Sequence, residues 1–411
     1  MTFVKKSFKN TLILSVLMIM VSPLIIENVS AQSSAQSEAD RAREERNKRD
    51  GQRTKKSQAV SKSVYEKITK AQEIMEAGDN DGALKILNAL KASSKLSEYE
   101  QQNVLNYLGF VYYNMEDYPR AMRAYEDMLK IPSIEEQMAK TTTYTLAQLN
   151  TMEENYTKSI SLIQRYFQIE TNPPPAAHIL YAQNLYQLER YKEMIPPIET
   201  AMTNDLRRQK AARLMAKEKA EAELKKARGE EEIAAATVKL RDATRRASME
   251  PIIKEDWYSL LNFAYFQQEN FSKVRDIQKI LLIHYPKKRY WFSLAGAYTE
   301  LGEDEKLIYA YDAAHTQNML EKSVEFVTMA QLYMQAEVPY KAATLLDQEI
   351  KSGKVDKNEK NYRLLSQAYT LAAEDEKALP ALKAAAKISD EGEMDLRLGN
   401  AYLNLAMYGD C

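Results

Sequence analysis

The sequence predicts an all-α protein: a stack of helix–turn–helix repeats with one charged helical insertion. Three observations predict it. Helix breakers are scarce, with 11 Gly and 12 Pro in 411 residues, while the strong helix formers Ala, Leu, Glu, Lys and Gln dominate. A small residue followed three positions later by tyrosine recurs at Ala295–Tyr298, Ala330–Tyr333, Ser366–Tyr369 and Gly399–Tyr402, so that the tyrosines stand 35, 36 and 33 residues apart. One segment, 204–248, interrupts that period with a run of Ala, Lys, Arg and Glu and few large apolar side chains.

The repeat has a mechanical reading. A bulky residue sits four before each small residue (Trp291, Phe326, Tyr362, with Asp395 at the last) and an apolar one sits one before it (Leu294, Met329, Leu365, Leu398). Offsets of three, four and seven place these residues and the tyrosine on one face of a first helix. The small residue lies where the second helix crosses, so a large side chain there would push the pair apart. Twelve and sixteen residues further on, Leu307/Tyr311, Ala342/Leu346 and Ala378/Leu382 form the matching face of the second helix. This is the tetratricopeptide (TPR) pattern, and a chain of such units is expected to stack as a superhelical solenoid.

Taken in order, the N-terminus has the three parts of an export signal. Lys5, Lys6 and Lys9 precede an apolar run from Leu12 to Ile26, and Val29-Ser30-Ala31 offers a cleavage site. An uncleaved anchor is the alternative, but the run is short for a membrane span and contains Pro23. Residues 1–31 are therefore expected to be removed and the protein to be periplasmic. Residues 32–62 are polar and charged, too poor in apolar surface to offset ordering entropy, and are expected to be disordered or loosely helical. About four repeats are expected over 63–203; "LNYLGFVYYNMEDYPRAMRAY" is the clearest, with Gly109, Tyr112, Ala121 and Tyr125 in place. Pro196-Pro197 fall where a second helix should run, so that helix is expected to be short or kinked. Two charged helices meeting near Gly229 and projecting from the stack are expected over 204–248. The segment leans basic and reads as a solvated insertion or as a docking arm. About four and a half repeats follow over 249–411.

Little in the sequence points to catalysis or cofactors. The net charge of −1 makes no case for nucleic acid. The three histidines, His178, His284 and His315, have no partner at i+3 or i+4, and the single Cys411 can form neither an internal disulfide nor a cysteine zinc cluster. No G-x-S-x-G, phosphate loop or GxGxxG occurs. The reading is a non-enzyme with no cofactor and no metal.

What stacked helix pairs offer is a surface lined by successive first helices. One residue past each small position lie Phe110, Gln148, Gln183, Phe263, Gly296, Gln331, Gln367 and Asn400; three further come Tyr113, Tyr186 and Phe266, and four before the row come Tyr144, Phe292 and Arg363. Amides pair with peptide N–H and C=O groups and aromatics take apolar side chains, so this row is a candidate groove for an extended peptide or protein segment. The other reading is that amides are simply good exposed helix residues. Trp291 belongs to the packing seam and its neighbour Phe292 to the binding face. Trp291→Ala is thus expected to cost roughly 3–5 kcal/mol and Phe292→Ala to leave the fold intact.

One stretch carries a closer resemblance. Lys288-Arg289 before Trp291, Leu320-Glu321-Lys322, Pro339-Tyr340-Lys341-Ala342-Ala343 and Ile350-Lys351-Ser352-Gly353, in that order, resemble the periplasmic TPR proteins encoded with TonB–ExbB–ExbD energy-transduction systems of gamma-proteobacteria. "QAVSKSVYEKI" at 58–68 resembles that family's start, while the 204–248 insertion departs from it. The resemblance implies a scaffold for an inner-membrane complex that energises outer-membrane uptake, with TonB, ExbB or ExbD as partners. Rival readings are a scaffold for envelope assembly or peptidoglycan coordination, and an envelope hydrolase built on helical repeats. The last helix, 393–408, is expected to leave Leu398, Tyr402 and Leu405 uncovered and so to allow self-association through the C-terminal repeat.

Overall fold

A computed structural model describes residues 60–390 and 392–410. The expected export signal and all but the last three residues of the expected leader lie outside the described residues. Those described form 18 α-helices and a short 3-10 turn, with no strand among them. No helix there is long and apolar enough to cross a membrane. The fold is an all-α solenoid of TPR helix pairs, and the chain divides at Ala201/Met202 into two units.

In the first unit, the pairs are α1 (Lys62–Glu76) with α2 (Asn80–Lys91), α3 (Glu98–Asn114) with α4 (Tyr118–Leu129), and α5 (Glu136–Met152) with α6 (Tyr156–Ile169); α7 (Pro175–Gln187) pairs with the start of α8 (Ile195–Lys226). Gly109 shows why the small position is small: a Cβ there would lie 2.5 Å from the ring of Tyr125 on the partner helix. Tyr125 is itself fully enclosed, and burial pushes its hydroxyl pKa upward. Leu87, Leu108, Met128, Leu146 and Leu149 complete a dry seam, each worth about 1.5–3 kcal/mol of burial.

Pro196-Pro197 correct the expectation of a short or kinked helix. They occupy the first turn of α8, where a missing N–H removes no intrahelical bond, and the helix runs on for 32 residues. Met194, Ile198 and Ala201 anchor its beginning with no exposed surface.

In the second unit, the distal part of α8 and α9 (Glu230–Ser248) form an antiparallel hairpin turning at Gly229, whose φ of 80° suits glycine. Lys239 and Glu223 pair at 3.4 Å, and Gln209 donates to the Ile252 carbonyl at 3.2 Å. Between residues 203 and 248 only Ala220 and Ala236 are buried, so the hairpin has a thin seam. The pairs that follow are α10 (Glu255–Gln267) with α11 (Phe271–His284), α12 (Lys288–Glu300) with α13 (Asp304–Thr316), α14 (Ser323–Gln335) with α15 (Pro339–Ser352), and α16 (Glu359–Leu371) with α17 (Asp375–Ile388). A single helix, α18 (Glu393–Asn404), comes last.

The uncovered face expected on that helix is covered. Tyr402 is buried with the Lys383 ammonium 5.1 Å from its ring, and Leu398 packs on Leu382, Ala385 and Met394. The helix lays its repeat face back on α17, and the exposed apolar residues are instead Leu396 and Leu403.

One turn geometry joins the helices of every pair from α1/α2 through α16/α17 except α7/α8, whose turn is extended by one more loop before the prolines. The second residue past the first helix takes a left-handed conformation (Gly78, Glu116, Glu154, Glu269, Gly302, Glu337, Ala373), as Glu189 does after α7. The next N–H then bonds back to the carbonyl five residues earlier, as Asp117 does to Tyr112 and Glu374 to Tyr369. This closes the helix end, and the same residue begins the second helix. Asp79, Asp117 and Asn270 accept a bond from the N–H three residues on.

Candidate functional site

The predicted row of first-helix residues divides by exposure. Gln331 on α14 and Gln367 on α16 are exposed, as is Phe266 on α10 at 52%. Phe110 and Tyr113 on α3, Gln183 and Tyr186 on α7, Phe263 on α10 and Arg363 on α16 are half-buried. Tyr113 lies 5.8 Å from the Tyr118 ring and Tyr186 6.0 Å from Tyr191. Arg363 is held by Glu393 at 2.7 Å.

Three members of the row are corrected. Tyr144 and Gln148 are buried, because α5 is enclosed by α4, α6 and α7 and every residue from Thr142 to Asn150 is covered. The Tyr144 ring stacks on Tyr166 at 5.0 Å, and burial raises its pKa. Phe292 is half-buried: its ring meets Tyr311 edge-to-face at 5.5 Å and packs against the core formed around Phe326. It is therefore part of the repeat packing, and its loss will cost stability. Trp291 bridges that core and the Leu294–Tyr298–Leu307 seam, with its Nε1 buried and without a hydrogen-bond partner among the described residues.

The residues that carry the family resemblance turn out to tie repeats together. Lys288 pairs with Glu321 at 3.1 Å and Glu325 at 2.9 Å. Burial pushes the Glu325 carboxyl up, but the N–H groups of Glu321 and Lys322 and the Lys288 ammonium outweigh it and hold the pKa below the usual range. Lys341 reaches Asp312 at 2.9 Å while its ammonium lies 4.4 Å from the Tyr333 ring, and the Tyr333 hydroxyl donates to the same Asp312. Burial first, and that carboxylate second, drive the Tyr333 pKa upward. Ala342 and Ala343 are fully buried, and Gly353 closes α15 with a φ of 82°.

Where the row does open, it forms a crevice. A cavity of 190 Å³ lies between α10, α11 and α12, lined by Asn262, Phe266, Phe271, Val274, Ser293, Gly296, Ala297 and Glu300. Phe266 and Phe271 meet edge-to-face at 5.9 Å. Asn262 takes the register position that Gly109 and Ala295 hold in other repeats. Its Oδ1 accepts from Gln278 Nε2 at 2.9 Å, and Gln278 is 2% exposed with its Oε1 unpartnered among the described residues. This amide pair was readable in the sequence as an Asn at a small-residue position, but its cavity was not. A wider, shallower depression of 600 Å³ lies along the turns of α14/α15 and α16/α17, around Val338, Pro339, Tyr340 and Glu374. No group of three or more His, Cys, Asp or Glu suited to a metal ion occurs among the described residues.

No protein-family model and no curated protein matches the chain. Solved structures of TPR proteins are similar to it at low identity. The C-terminal part of a TPR repeat-containing protein from Cytophaga hutchinsonii is 11% identical over 80% of this chain and 98% of that one, with a TM-score of 0.37. A tetratricopeptide repeat protein from Parabacteroides merdae is 12% identical over 83% and 99%, with a TM-score of 0.23. The TPR2AB domain of yeast Sti1, solved in complex with pHSP90, is 13% identical over 76% and 98%, with a TM-score of 0.32.

Proposed function

We propose that this chain is a non-enzymatic docking scaffold of the bacterial periplasm. It binds extended segments of partner proteins along the first helices of its repeats, and its partners belong to a TonB–ExbB–ExbD system. The observation that carries the docking reading is the exposure of Gln331 and Gln367 at one register position of successive repeats, with Phe266 exposed on α10 of the same unit. Exposed amides at a repeat spacing match the alternating donors and acceptors of an extended backbone, and an exposed aromatic takes an apolar side chain. Export is supported by the sequence of residues 1–31, and the partner assignment by the resemblance over 285–356.

Photo-crosslinkers placed at 331 and 367 in intact envelopes test both levels. Adducts with TonB, ExbB or ExbD are expected. Adducts confined to wall-assembly proteins would replace the partner assignment, and no protein adduct at either position would sink the docking reading. The mature protein is expected to begin at Gln32, which N-terminal sequencing reads directly.

A further inference from the structure

We propose that the crevice at Gly296 is a socket for one large apolar side chain of an extended, positively charged peptide segment. The proposal rests on the docking reading above and specifies its ligand. Four observations converge on it.

The first is size and lining. The cavity holds 190 Å³, room for one large side chain, whereas pockets for cofactor-sized molecules run from about 300 to 1,000 Å³. Phe266, Phe271 and Val274 supply apolar walls, and Phe266 remains 52% exposed. The second is Gly296 itself. It stands in the interior of α12, where glycine weakens a helix relative to alanine. Packing does not require it, because a Cβ at 296 would meet nothing within 4 Å. Its effect is to leave the floor of the crevice open.

The third is a set of unused hydrogen-bond groups. Asn262 is fixed through its Oδ1 by the buried Gln278, and its amide N–H donors, on the crevice wall, have no partner among the described residues. A peptide carbonyl matches them. The fourth is charge. Glu300 is the only ionised residue in the lining, and it makes no ion pair among the described residues. A lone carboxylate beside apolar walls disfavours anionic ligands and favours a Lys or Arg close to the anchoring side chain. The occupant is therefore a partner segment in which Leu, Ile, Met or Phe stands within about three residues of a basic one, since an extended chain advances ~3.3 Å per residue.

The test uses the purified full chain and a display library of random twelve-residue peptides. Retained clones are expected to combine one large apolar residue with a neighbouring Lys or Arg. Gly296→Leu places a side chain in the socket and is expected to lower their binding at least tenfold with no fall in Tm. Glu300→Lys, at an exposed position, is expected to reverse the preference from basic to acidic neighbours. Clones that bind Gly296→Leu as tightly as the parent chain would overturn the socket and leave the docking reading standing. Clones without basic enrichment, or a Glu300→Lys variant with unchanged preference, would overturn the assigned ligand chemistry. If Gly296→Leu melts early, the Glu300→Lys result alone decides. A parent chain that retains no clone would overturn the socket and peptide docking together.

Discussion

At the scale of single residues, two glycines show how one amino acid answers two different needs. Gly109 is small because Tyr125 leaves no room: Gly109→Ala drives a methyl to within 2.5 Å of a fully buried ring. Overpacking of that kind costs about 1–3 kcal/mol. Gly296 has open space around it, so Gly296→Ala gains helix propensity and is expected to stabilise by roughly 0.5–1 kcal/mol. The same substitution thus has opposite signs at two places on first helices, and urea midpoints of the two variants check it. A fall at both positions would mean that α12 is more crowded than its surroundings indicate. Phe292 teaches the complementary lesson. Helical spacing put it off the seam of Trp291, yet both side chains pack on the core around Phe326, and Tyr311 of the second helix meets the Phe292 ring.

At the scale of elements, the strongest single device is Glu100. Its carboxylate accepts from Ser97 N at 2.9 Å and Oγ at 3.0 Å, at the start of its own helix. It also accepts from Ser61 N at 2.9 Å and Oγ at 2.6 Å, at the start of α1. One side chain therefore caps two helices. Burial pushes its pKa up, but the four bonds prevail and pull it from its ordinary 4.5 to about 2. The unfolded chain binds this proton more readily than the folded one, so the stabilisation is complete above about pH 4.5. It fades as pH falls toward 2 and amounts to on the order of 3 kcal/mol. Wild type and Glu100→Gln should accordingly differ most at neutral pH and converge by pH 2. Thermal melts of residues 60–201 across that range measure it, and a constant difference would show that Glu100 does not titrate in this way. Ser97-x-x-Glu100 has the spacing of a capping box, but nothing in the sequence places Ser61 on the same carboxylate 39 positions away.

At the scale of the whole molecule, stability is unevenly distributed. The paired helices bury their seams completely at residues such as Leu346, Phe326 and Leu185, whereas the hairpin of α8 and α9 buries two alanines. Regions with few buried apolar contacts open at lower free-energy cost. Amides between 210 and 245 are therefore expected to exchange at least a hundredfold faster than those of α14. Native-state hydrogen exchange reads this, and equal protection would indicate a partner surface on the hairpin. The high helix propensity of that segment was legible, since Ala, Glu, Lys and Arg need no neighbours to favour a helix. That α8 begins at Ile195 and carries two prolines in its first turn was not, because a proline pair breaks a helix interior but suits its start.

The sequence by itself determined the class of fold and the phase of each repeat. Both follow from local rules: a recurrence every 33–36 residues of bulky, small and tyrosine positions on one helical face, and few breakers outside the turns. It also determined which side chains fill the seams, since Trp291, Leu294 and Tyr298 share a stripe on the first helix and Leu307 lies on the matching face of the second. Only the tertiary structure decided which of the remaining faces are open. Gln148, Gln331 and Gln367 occupy the same position in their repeats, yet the first is buried and the other two are exposed. Periodicity along one helix fixes the direction in which a side chain points. Whether water or another helix lies in that direction depends on how the neighbouring helices stack, which periodicity along one helix does not encode.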